Sequence, residues 1–304
     1  MLQARQLFLF GLQPVAMQDR LPLGGFGRVR FLLRAGAAKG SPVRGRLRSL
    51  LRLVARAAPL PKIYNLAHAA QRNSFPRGSS MQITLTAADG HDFAAYRAGP
   101  ADSQSGGAKA ALVIVQEIFG VNRHMRRVAD SFAAAGYAVI CPALFDRTER
   151  GVELGYTPED VTRGRNLRGR IDEHLTLLDV LAAAAALPAG LPRGIVGYCW
   201  GGSVAWHGAT RSSAFQASVG WYGGGIAAAR HEAPRCPVQL HFGEVDGSIP
   251  LSDVTAIQAA RPEVEVFVYP AAGHGFGCED RGSYVASDAA VAQARTLEFF
   301  GKQL

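Results

Sequence analysis

Residues 195–202 read IVGYCWGG: two β-branched apolar residues, then a cysteine framed by Gly197 and Gly201–Gly202. Such a Gly-x-Cys-x-Gly after an apolar run marks a sharp turn from strand to helix, with Cys199 at its apex. Glycines are needed there because side chains on either side of the apex would collide with the strand or the helix. A helix starting behind Cys199 would aim its free N–H groups and positive dipole end at the sulfur, favouring thiolate over thiol. The competing reading is a small buried structural thiol, a common fate for free cysteine. Partners elsewhere in the chain must decide between the two.

Working outward, the same strand–helix rhythm extends over most of the chain. MQITLTA and DFAAYRA, separated by Ala-Asp-Gly, predict a hairpin beginning at Met81. ALVIVQE (111–117) is a continuous apolar run of the buried parallel kind, and NRHMRRVADSFAAAG (122–136) a helix closed by Gly136. YAVICPALF reads as the next strand, a long polar excursion follows, and DEHLTLLDVLAAAAAL (172–187) is a helix. After IVGYCWGG come strands in ASVGWYG, PVQLHFG and VEVFVYP, helices in GGSVAWHGAT and LSDVTAIQAARP, and a final helix within YVASDAAVAQARTLEFFGKQL. Strands alternating with helices predict one α/β domain over 81–304, with a mostly parallel sheet covered on both faces. In such sheets the site lies at the carboxyl ends of the strands.

Three further residues occupy such ends. Asp246, in FGEVDGSIP, follows one strand; His274, in AAGHGFG, follows the next, flanked by glycines. Nucleophile, acid and histidine thus occur in the chain order that a nucleophile turn of this type requires. Among the eight histidines, His274 alone combines that order with a loop after a strand; His241 lies within a strand and reads as core, and His207 within the elbow helix. Glu117 ends the most apolar strand, where a carboxylate is costly unless it has a partner or a task. A salt bridge to an arginine such as Arg123 or Arg127 is the plain alternative. The turn after Glu117 exposes the N–H of Ile118, which with that of Trp200 would make a pair of oxyanion donors.

Charge is divided unevenly. Residues 1–80 carry 14 Lys/Arg and one acid, Asp19, whereas 81–304 carry 19 Lys/Arg and 23 acids; the overall +9 therefore belongs to the first quarter. That segment reads as a disordered basic extension, from a start codon upstream of Met81. A targeting-type leader and a basic arm for membrane or nucleic acid are the competing readings. The remainder is mildly acidic, which argues against nucleic acid as a partner, and no apolar run approaches the ~20 residues of a membrane span. Four scattered cysteines without a C-x-x-C pair argue against a zinc site or disulfide framework, so a reducing compartment, the cytoplasm, is expected.

QEIFGVN (116–122), GYCWGG, FGEVDGSIP, AGHGF and SYVASDAAVAQARTLEFF together resemble the dienelactone hydrolase family over residues 81–304. The resemblance implies an α/β-hydrolase fold and a Cys199–His274–Asp246 triad. Glu117 would interact with the cysteine so that the thiolate becomes fully reactive only with substrate bound. The implied activity is that of a carboxymethylenebutenolidase-like carboxylic ester hydrolase opening a small lactone, with no cofactor and no metal; a monomer is expected. A broader esterase or thioesterase using the same triad is the runner-up, and a catalytically silent binding module the reading from another class. Phe119, Trp221, Tyr222 and Phe276 are candidates to line the pocket together with Trp200. One departure concerns the substrate. Where the type member carries a carboxylate-gripping arginine four residues after the histidine, this chain has Cys278, with Arg281 three residues further on. Arg163, Arg165, Arg168 and Arg170 are unaligned candidates for a second arginine.

Overall fold

Residues 80–100 and 107–304 are described by the computed structural model, so the expectations for residues 1–79 fall outside the described residues. β1 (Met81–Thr86) and β2 (Asp92–Ala98) form the expected antiparallel hairpin, Met81 opposite Arg97 and Thr86 opposite Asp92. Next come β3 (Ala110–Val115), α1 (Arg123–Ala134), β4 (Tyr137–Pro142), α2 (Pro158–Arg168), α3 (Glu173–Ala185) and β5 (Arg193–Tyr198). The chain continues through α4 (Trp200–Arg211), β6 (Ala217–Trp221), β7 (Val238–Gly243), α5 (Leu251–Ala260), β8 (Glu265–Tyr269) and α6 (Ala286–Gln303). These strands make one sheet in the order β1-β2-β4-β3-β5-β6-β7-β8. β2 meets β4 antiparallel, and every pairing from β4 to β8 is parallel.

Sequence runs without polar alternation become the inner strands because both of their faces are covered. All six residues of β3, of β4 and of β7 are buried. Successive β3 side chains alternate between the two faces. Leu112 and Ile114 join a core with Met125 and Phe132 of α1 and Phe299 and Phe300 of α6. Ala111, Val113 and Val115 pack with Val180, Ala183 and Ala184 of α3 on the other side. Each large side chain so buried contributes about 1.5–3 kcal/mol.

Two local expectations fail. The strand expected over YAVICPALF ends at Pro142, and Leu144–Arg147 forms a 3₁₀ turn instead. There the N–H of Leu144 donates to Gln116 Oε1 (3.1 Å), and Asp146 Oδ2 accepts the Ala94 N–H (2.8 Å), so side chains satisfy backbone that a sheet would otherwise pair. The polar excursion also contains a helix, α2. Its signal was a capping box in which Thr157 Oγ1 accepts the Asp160 N–H and Asp160 returns the contact to the Thr157 N–H, with Pro158 in the first turn. Gly164 sits inside α2 because a Cβ there would fall 2.0 Å from the Ile118 carbonyl oxygen. Helix α2 thus presses its backbone against the segment that follows β3.

Candidate active site

Cys199 stands between β5 and α4 with φ 55° and ψ −117°, a left-handed conformation that a non-glycine residue holds only under constraint. The constraint is visible in its surroundings. The Cys199 N–H donates to the Trp221 carbonyl (3.0 Å), and its own carbonyl accepts from the Gly202 N–H (3.0 Å). A Cβ on Gly197 would lie 1.8 Å from the Gly201 oxygen, and one on Gly201 2.3 Å from the Val115 oxygen. Both positions therefore admit only glycine, and the sulfur sits at the start of α4.

The loops after β7 and β8 bring the acid and the histidine to that sulfur. Asp246 is buried; its Oδ1 accepts the Ser248 N–H (2.8 Å) and its Oδ2 accepts from His274 Nδ1 (2.8 Å). On its other side the imidazole reaches Cys199 Sγ from Nε2 at 3.1 Å. Gly275 takes φ 77°, and Ser283 Oγ donates to the His274 carbonyl (2.7 Å), fixing the loop that carries the ring. Burial alone would lower the His274 pKa, but the hydrogen bonds to Asp246 and Cys199 outweigh it and raise it to about 10.

Glu117 is fully buried just past the end of β3, and neither carboxylate oxygen has a hydrogen-bond partner. It does face an arginine, though neither of the two named from the sequence. Arg127 turns to Asp280 (2.9 Å) and Glu279, and the cation nearest Glu117 is Arg281, with Nη1 3.6 Å from Oε1. Helix α1 begins at Arg123, so residues 123 and 127 ride on a helix whose buried positions include His124 and Met125, while Arg281 folds back from the loop after His274. Burial raises the pKa of Glu117, and the charges of Arg281 and His274 pull it down. The arginine itself lies over the rings of Phe119 (5.6 Å) and Tyr156 (6.0 Å).

The sequence pattern of the dienelactone hydrolase family matches residues 93–304. The chain belongs to the dienelactone hydrolase family. A Synechocystis protein named as a candidate carboxymethylenebutenolidase is 36% identical over 212 residues, 64% of this chain and 86% of that one. The carboxymethylenebutenolidase of Pseudomonas putida is 32% identical over 233 residues, 71% of this chain and 94% of its own. A crystal structure of a candidate dienelactone hydrolase from Klebsiella pneumoniae superposes with a TM-score of 0.62 at 28% identity, over 73% of this chain and 99% of the other. The α/β-hydrolase fold expected from the motifs is the one observed, and membership of the dienelactone hydrolase family makes the chain a hydrolase of ester or lactone bonds.

The remaining candidates divide. Trp200 is mostly buried and stacks on Phe145 (5.5 Å). Phe119, Trp221, Tyr222 and Phe276 are all buried; the last three pack on one another, and Tyr222 meets the His274 ring edge-on at 5.3 Å. Of the arginines on α2 and just beyond it, Arg163 pairs with Glu149 and Arg168 with Glu173 on exposed surface. His241 is core, hydrogen-bonded to Tyr269, Gln239 and Thr296, and burial holds its pKa down to about 3. Sequence reading missed what surrounds Glu117. Tyr156, Asn122, His124 and Cys278 converge there from three segments, Asn122 Nδ2 donating to Tyr156 Oη (3.1 Å). Only the capped start of α1 at Asn122 carries a local signal, its side chain accepting the Met125 N–H (3.2 Å).

Proposed function

We propose that the protein hydrolyses a small lactone or ester by nucleophilic catalysis at Cys199, with His274 and Asp246 completing the triad and an acyl-thioester as intermediate. The observation that carries this reading is the imidazole of His274 held between Cys199 Sγ (3.1 Å) and Asp246 Oδ2 (2.8 Å). With its pKa raised, His274 is poised as imidazolium, a proton donor held against the sulfur that is to attack.

In this mechanism the thiolate adds to the carbonyl carbon, and the resulting oxyanion accepts hydrogen bonds from the N–H groups of Ile118 and Trp200. Collapse breaks the acyl–oxygen bond; the ring oxygen leaves with the proton of His274, and the acyl group stays on sulfur. His274 then takes a proton from water as the water attacks the thioester, and the acid is released as Cys199 is restored. Asp246 keeps the ring oriented and stabilises its charge. Glu117 faces Arg281 and lies close to His274; burial raises its pKa despite those charges, so its proton and its charge set the field in which Cys199 reacts. Trp200, beside the nucleophile, is the aromatic residue placed to meet an apolar substrate group, and Phe119 packs beneath Arg281 and Tyr156. Tyr222, Trp221 and Phe276 support the His274 loop, and Arg281 stands behind Glu117 as the nearest cation for an acidic substrate. The four free thiols fit a reducing compartment such as the cytoplasm, and among the described residues no helix is long and apolar enough to cross a membrane.

The test is kcat/KM for a panel of lactones, aryl esters and acyl-thioesters, on the wild type and on Cys199→Ala. Turnover of at least one class that disappears in Cys199→Ala is expected; undiminished turnover in that variant overturns the mechanism, and the ranking within the panel separates a lactonase from a broader esterase or thioesterase.

A further inference from the structure

We propose that Glu117, His124 and Cys278 form a binding site for a single thiophilic divalent ion of the zinc class. A carboxylate oxygen, an imidazole nitrogen and the sulfur of these residues all lie within 4.8 Å of one another, and all three residues are buried. Buried polar atoms are normally paired, yet both oxygens of Glu117 and Nε2 of His124 have no hydrogen-bond partner. One O, one N and one S donor is the mixed set that suits zinc, whose bonds of roughly 2.0–2.3 Å bring such donors together with small side-chain adjustments. Three protein ligands leave a fourth position for water.

Two surroundings favour the site, and two cations oppose it unequally. The Tyr156 hydroxyl, held by Asn122 Nδ2, sits against the Cys278 thiol and supports the sulfur from outside the ligand set. A cleft of about 240 Å³, lined by Arg127, Tyr284, Ala289 and Gln293, has His124 in its wall and so reaches one of the three ligands. Opposition comes from Arg281, 3.6 Å from Glu117, which competes with the ion for the carboxylate. Arg127 opposes less, being neutralised by Asp280 and Glu279. The site therefore binds more weakly than a closed structural zinc centre. Loading replaces the S–H bond of Cys278 with a sulfur–metal bond, the proton leaving to solvent. On the reading of Glu117 given above, a bound ion draws that carboxylate away from Arg281 and slows ester turnover, so the site is inhibitory and no part of the catalytic cycle.

Binding is tested apart from catalysis, in full-length Cys199→Ala protein, where the proposed nucleophile supplies no thiolate. Titration with Co²⁺ should saturate at one ion per chain with a thiolate-to-cobalt charge-transfer band in the near ultraviolet, and Zn²⁺ should displace it. Cys278→Ser added to this background should abolish the band, and His124→Gln should weaken binding at least tenfold, with unchanged far-UV circular dichroism. No saturable band in the parent, or a band that survives Cys278→Ser, overturns the proposal. Should Cys278→Ser fail to fold, an unshifted titration in His124→Gln overturns it equally.

Discussion

The Nε2 of His274 stands 3.1 Å from Cys199 Sγ while its Nδ1 stands 2.8 Å from Asp246 Oδ2, so both ring nitrogens are engaged by groups that favour the protonated ring. Burial opposes this, but the two hydrogen bonds prevail and lift the pKa from 6.5 to about 10. A group whose folded pKa is raised stabilises the fold fully below its unfolded pKa and loses that contribution as pH rises through the folded value. The stability difference between wild type and His274→Gln should therefore be largest below pH 6.5 and shrink as the pH climbs to about 10. Thermal melts of both proteins across that range measure it. A difference that grows with pH would mean that the ring is neutral in the native state.

Removing the carboxylate isolates its share. Asp246→Asn keeps the shape of the side chain but withdraws the charge opposite Nδ1, and the amide that replaces it can also present a donor to that nitrogen. The His274 pKa should fall toward 6.5, as read by imidazole nitrogen NMR. Turnover should drop by roughly 10⁴ in kcat, the scale of the same change in a serine triad, with a much smaller effect on KM. A variant that keeps its kcat would remove Asp246 from the mechanism.

How much of this was legible in the sequence depends on whether a feature is local. Runs such as ALVIV and GIVGY announce buried parallel strands because nothing polar interrupts them, and Gly197, Gly201 and Gly202 announce the turn because only glycine fits it. The order Cys199, Asp246, His274 is likewise written along the chain. Helix α2 was hidden because it has no apolar stripe and carries Gly164 in its middle, a residue chosen by contact with Ile118 rather than by helix propensity. The partner of Glu117 was hidden for a different reason. Arg123 and Arg127 are near in sequence, but Arg281 is near in space only because the loop after β8 folds back across the β3–α1 connection. No local pattern encodes the meeting of residues 117, 124 and 278.

A second buried ion pair is expected to control stability away from the site. Arg147, in the 3₁₀ turn after β4, donates from Nη2 and Nε to Asp179 of α3 (2.7 and 2.8 Å) and from Nη1 to Asp89 in the β1–β2 turn (2.8 Å). The Asp179 side chain is completely buried and that of Arg147 nearly so, whereas Asp89 is partly exposed. Asp179→Ala leaves the guanidinium in the interior with only the outer partner, and should cost about 3–5 kcal/mol. Asp89→Ala, on the wetter side, should cost much less. Urea unfolding of the two variants gives the comparison, and equal losses would contradict the burial argument.

The conformation of Cys199 predicts a conflict between stability and activity. At φ 55° and ψ −117° a cysteine is strained, and the hydrogen bonds to Trp221 and Gly202 hold it there. Glycine adopts such angles without a Cβ penalty, so Cys199→Gly should recover part of a strain of roughly 1–3 kcal/mol. Alanine retains the Cβ and hence the strain. The informative comparison is between the two inactive variants, because both lose the sulfur and its contact with His274. Glycine also gains entropy in the unfolded chain, which offsets the relief by about 0.4–1 kcal/mol. Cys199→Gly should nonetheless unfold at a higher denaturant concentration than Cys199→Ala, with an unchanged slope in urea. If alanine proves as stable as glycine or more so, the turn is relaxed around the cysteine, and the sulfur is not being held against a backbone preference.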